Sequence, residues 1–121
     1  MICEGCKELI VTIVNKGWAE RVIRASREAG AEGGTILMGR GTGIHEKQSF
    51  FGVPIEPEKE IVLIVLDPSQ TDRVLMAISD AVELHLPGRG IAFVLPVSRV
   101  AGRVHMMRDR GEQEGDGADK S

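Results

Sequence analysis

Apolar residues crowd into four short runs, and two stretches of helical spacing lie between them. Over residues 7–14, Leu9, Ile10, Val11, Ile13 and Val14 with the β-branched Thr12 predict a strand, which Asn15-Lys16-Gly17 breaks. Over residues 18–29, Trp18, Val22, Ala25 and Ala29 recur at helical spacing while Glu20, Arg21, Arg24, Arg27 and Glu28 fill the other faces. Gly30 is a natural C-terminal stop. Residues 35–38 form a second short strand that Gly39-Arg40-Gly41-Thr42-Gly43 is expected to end. Residues 61–66 are an uninterrupted apolar strand closed by Asp67-Pro68. The helix that follows has a buried stripe of Val74, Leu75, Ile78, Ala81 and Val82, with Ser69 and Asp72 in the spacing of an acidic capping box. Pro87-Gly88-Arg89-Gly90 then makes a tight turn into a fourth strand over residues 91–95.

The order β-α-β, long loop, β-α-β is that of an α+β, ferredoxin-like fold, a four-stranded antiparallel sheet with both helices on one face. Between Gly39 and Glu60 regular periodicity is weak, and Gly52, Pro54 and Pro57 argue against a packed element. A structureless loop of that length in a small domain is functional or disordered. The third strand has no polar residue, so it presents apolar side chains to both faces of the sheet, of which two helices cover one. Self-association would bury the other; the alternative is that the loop and the segment after Leu95 fold back over it. Residues 1–6 are expected to be a flexible terminus, and residues 108–121, nearly devoid of apolar side chains, a disordered tail.

At 121 residues, 42% hydrophobic and 27% charged, the chain has the size and balance of one globular domain. A net charge of −3 lacks the basic excess that nucleic acid demands. No apolar run has the length of a membrane span and the N-terminus lacks the layout of a signal peptide, so a cytoplasmic protein without direct membrane insertion is expected. Cys3-x-x-Cys6 has no second pair to complete a zinc site and reads either as reduced thiols on a frayed terminus or as a redox switch or half of an intersubunit metal site. His45, His85 and His105 are too widely spaced for a metal-ligand pattern. No catalytic constellation is recognisable, so a non-enzyme is expected.

Two glycine clusters, Gly39-Arg40-Gly41 and Gly88-Arg89-Gly90, stand at strand edges. Glycine lets backbone N–H groups approach phosphate oxygens, and an adjacent arginine adds charge-assisted hydrogen bonds. Gly34-Thr35-Ile36, Gly39-Arg40-Gly41, the long loop, and Pro87-Gly88-Arg89-Gly90-Ile91-Ala92-Phe93-Val94 with Val97-Ser98-Arg99-Val100 together resemble the PII nitrogen-regulatory family from about Lys7 to Val104, which implies a domain over residues 7–107. The resemblance implies a homotrimer that binds ATP or ADP between subunits and controls a partner enzyme or membrane transporter in nitrogen or carbon metabolism. It implies a T-loop at about 42–58 and a phosphate-wrapping B-loop at about 86–91. Thr35, Gly39, Gly41, Lys59, Gly88, Arg89, Gly90, Arg99 and Arg103 are then nucleotide-site candidates. In the T-loop, His45, Ser49, Phe50 and Phe51 become partner contacts, with Ser49 either a modification site or an ordinary solvated loop serine, and the phenylalanine pair equally suited to packing on the subunit's own surface.

The chain departs from the family pattern at two places. Ile91 stands where the family has a lysine after the B-loop glycine, and Thr42-Gly43 replaces the glutamine that helps hold magnesium and 2-oxoglutarate. With no tyrosine, the chain also lacks the side chain that some members uridylylate. Two other functions suit the same architecture: a CutA-type trimeric metal-binding protein, and a regulatory domain for an amino acid or cyclic nucleotide.

Overall fold

The computed structural model describes residues 2–43, 48–50 and 53–102. In chain order these form strand β1 (Ile2–Asn15), helix α1 (Ala19–Glu28), β2 (Thr35–Arg40), β3 (Gln48–Phe50), β4 (Val53–Ile55), β5 (Glu58–Leu66), helix α2 (Pro68–Ala81) and β6 (Gly90–Ala101). One sheet has the order β2-β5-β1-β6, with every neighbouring pair antiparallel. The units β1-α1-β2 and β5-α2-β6 therefore interleave, which is the expected ferredoxin-like arrangement.

Strand alternation gives this sheet two faces. Register sets Ile10 opposite both Ile64 and Val94, and Thr12 opposite Val62 and Ala92, so these side chains share a face. Ile10, Val14, Val62, Ile64 and Leu66 are buried there against Ala19, Val22 and Ile23 of α1 and Val74, Ile78 and Val82 in and beyond α2. On the opposite face the ladder aligns Leu9 with Val65 and Leu95, Val11 with Leu63 and Phe93, and Ile13 with Ile61 and Ile91. No element among the described residues covers this second face, and Val65, Ile91, Phe93 and Leu95 are exposed on it.

The edges of the sheet run further than the pattern suggests. β1 begins at Ile2 where a flexible terminus is expected, because its first residues pair with the far end of β6, Ile2 with Ala101 and Glu4 with Arg99. β6 continues through Pro96, which an edge strand tolerates because, among the described residues, one side of its backbone has no neighbouring strand. Cys3 and Cys6 are not reduced thiols on a frayed end but a disulfide spanning a β-bulge between Glu4 and Lys7. β2 likewise runs on through Gly39 and Arg40, paired with Lys59 and Glu58, since a Cβ at residue 39 would crowd the Ile61 side chain and glycine fits beneath it. Within the long loop, β3 and β4 pair as an antiparallel hairpin, an element that its glycine and prolines concealed.

The helix ends also differ from expectation. Asp67 occupies the N-cap of α2 without a side-chain cap bond, and Pro68 follows at the first helical position, so the Ser69 and Asp72 capping box does not form. In the stripe, Val74, Ile78 and Val82 are buried and Leu75 packs partly against the core, whereas Ala81 is exposed. α1 has no side-chain cap from its own N-cap, Trp18. Glu60 of β5 supplies one instead, its Oε1 accepting from the backbone N–H groups of Gly17 at 3.0 Å and Ala19 at 2.8 Å.

Candidate functional site

A cleft of about 750 Å³ opens at one end of the sheet, where β2 and β1 finish and β5 and β6 begin. Register lays its floor in two rungs. In the apolar rung Leu37, Ile61, Ile13 and Ile91 stand side by side on adjacent strands, and the last three line the cleft. The next rung, Gly39, Lys59 and Asn15, is polar. The walls are the segment from Gly39 to Gly43 on one side and the turn from Leu84 to Gly88 on the other.

Asn15 joins the two sides. Its Oδ1 accepts from Lys59 Nζ at 2.7 Å, and its Nδ2 donates to the Gly88 carbonyl at 3.1 Å. Lys59 is 9% exposed, and this contact orients its ammonium at the cleft floor. At the foot of the long loop Gly41 N donates to the Pro57 carbonyl at 3.2 Å, and Lys16 N to that of Glu58 at 3.2 Å. The Lys16 and Glu58 side chains meet at 3.0 Å, and the hydrogen bond that Lys16 donates to this carboxylate, more than the carboxylate's charge, raises the Lys16 pKa above its ordinary value.

Glycine has a different reason at each end of the turn. At Gly90, φ is +139° and a Cβ would strike the Ile13 carbonyl oxygen, so only glycine lets β6 enter the sheet against β1. At Gly88, φ is +79° but the space around it is open, so only backbone conformation selects glycine there. Open space also surrounds Gly41, leaving its backbone accessible from the cleft.

Five sequence-predicted candidates, Gly39, Gly41, Lys59, Gly88 and Gly90, meet in this one cleft. Arg89 does not line it: its guanidinium lies 3.2 Å from Glu83 Oε1 and 5.1 Å from the centre of the Trp18 ring. Thr35 pairs with Leu63 further along β2, and Arg99 pairs with Glu4 at the opposite end of β6. Ser49 and Phe50 belong to β3, while His45, Phe51 and Arg103 lie outside the described residues. Sequence reading missed Asn15, which looked like a strand breaker, the cleft-lining His85, and the isoleucine rung, which looked like ordinary core. Among the described residues, no group of three or more His, Cys, Asp or Glu side chains is placed to hold a metal ion. None of their helices is long and apolar enough to cross a membrane.

No curated protein matches the chain in sequence. Among solved structures it is similar to that of Arabidopsis thaliana PII bound to citrate, with a TM-score of 0.61 and 26% identity over 78% of this chain and 79% of that one. The family model described as nitrogen regulatory protein P-II matches residues 7–104, from the strand after the bulge, through both walls of the cleft, to just past the end of β6. That span covers most of the sequence, and the chain therefore belongs to the P-II nitrogen regulatory family.

Proposed function

We propose that this chain is the subunit of a homotrimeric signalling protein that binds ATP or ADP in the cleft and reports its occupancy to a regulated enzyme or transporter through the loop at about 42–58. One observation carries the reading. Two glycine segments nearly fifty residues apart converge on a cleft with an apolar isoleucine floor and a buried lysine beside it. An apolar floor suits the flat face of a purine, while glycine N–H groups and an ammonium suit phosphate oxygens. The uncovered sheet face supports the trimer, since each large apolar side chain left in water forgoes about 1.5 to 3 kcal/mol. In a trimer a neighbouring subunit brings further groups to the cleft, and Arg99, at the opposite end of β6 from the cleft of its own subunit, is assigned that role together with Arg103. Citrate in the Arabidopsis protein shows a relative holding a polyanion. Regulation requires the nucleotide to bind one loop state more tightly than another.

Isothermal titration of the purified protein with ATP, ADP, AMP and cyclic AMP, combined with sedimentation, tests this reading. Saturable binding of ATP or ADP by a trimer is expected, and Lys59→Met should weaken it by about 10- to 100-fold, the worth of a charge-assisted hydrogen bond. A protein that binds no adenine nucleotide at any concentration overturns the reading.

A further inference from the structure

Glu83 is the one non-glycine residue with positive φ among those described, at 55°. Leu84 N donates to the Ser79 carbonyl at 3.0 Å, the long bond of a Schellman turn, and Glu83 occupies the left-handed position that glycine usually takes there. An L side chain in that conformation is strained, so glutamate at residue 83 works against the backbone. Its carboxylate, however, meets Arg89 at 3.2 Å, and Arg89 in turn lies over Trp18, which Arg21 also approaches, at 4.3 Å from the ring centre. Arg89 is flanked by two cleft-lining glycines, both at positive φ, yet its guanidinium is turned away from the cleft they form.

We propose that Glu83 and Trp18 form a latch that holds Arg89 outside the cleft, so that a phosphate-bearing ligand must compete with the Glu83 carboxylate for this guanidinium. Glu83 thereby sets the affinity of the cleft for phosphate and ties occupancy to the conformation of the turn. The inference rests on the nucleotide reading above. The latch is of a strength that a ligand can overcome, because the Arg89 and Glu83 side chains are 34% and 48% exposed and solvent screens such a pair. The flanking glycines give the turn the backbone freedom to release the arginine, with open space around Gly88.

The test is calorimetric titration with ATP and with adenosine on the wild type, Glu83→Gln, Arg89→Ala and the double variant. Glu83→Gln is expected to tighten ATP by about two- to fivefold, the range of an exposed ion pair, and to leave adenosine unchanged. The gain should vanish in the Arg89→Ala background, as in a double-mutant cycle for two residues acting as a unit. ATP should also alter the emission of Trp18, the only tryptophan in the chain, in the wild type but not in Arg89→Ala. Glu83→Gly, which relieves the left-handed strain, should reproduce the gain with a raised melting temperature, separating loss of the carboxylate from damage to the fold. An unchanged ATP affinity in Glu83→Gln and Glu83→Gly, or an equal gain with Arg89 absent, overturns the latch alone. A wild type that binds no nucleotide overturns the reading beneath it and the latch with it.

Discussion

On the helix-covered face of the sheet Ile10, Val62 and Ile64 are 0% exposed, whereas on the other face of the same strands Val65, Leu95 and Ile91 remain 48%, 45% and 56% exposed. The residue types are alike and the backbone is shared; what differs is the layer laid against them. One face holds the subunit together, and the other is free to hold subunits to each other. The cleft sits where the second face reaches its end, so its isoleucine floor continues the surface assigned to assembly. In the proposed trimer, ligand binding and association draw on one continuous apolar surface.

This contrast breaks most sharply at Ile64. Ile64→Ala should destabilise folding by about 2 to 5 kcal/mol, the cost of a cavity in a packed core, seen as a lower urea midpoint at fixed protein concentration. Phe93→Asp, on the uncovered face, should leave the circular dichroism of the subunit intact. Because it forgoes about 1.5 to 3 kcal/mol of burial per subunit and buries a charge, it should convert the sedimenting trimer to monomer. A trimer that survives this change would mean that the face is covered in some other way. At the boundary between sheet and cleft, Gly90→Ala meets both an unfavourable φ and the Ile13 carbonyl, and should lose about 1 to 3 kcal/mol of stability by thermal melting. Gly88→Ala, with the same kind of φ but open surroundings, should lose less.

The central sheet was legible because its signal is local: β1, β5 and the start of β6 are dense apolar runs, and burial of alternate residues follows from the pleat. The edges were not. β3, β4 and the far half of β6 contain or adjoin prolines, and only their positions at sheet margins make those prolines harmless. The first residues of β1 have little strand character of their own and are extended because β6 is there to pair with them. In the site, the glycine turns and Lys59 announced themselves by composition and by resemblance. Asn15 did not, since its role depends on a carbonyl 73 residues away, and neither did Glu83, whose partner becomes apparent only once the α2 terminus and the turn are folded side by side.

Consecutive residues of a strand look in opposite directions, and at the start of β5 this sends Lys59 into the cleft and Glu60 to the first amides of α1. The strand is thus a short lever with a handle on each side of the sheet. In the proposed regulator, an anion that pulls on this ammonium acts through one strand on the positive pole of α1. Occupancy of this pocket in the proposed regulator reaches two segments, the loop at about 42–58 through its foot at Gly41 and Pro57, and helix α1 through Glu60.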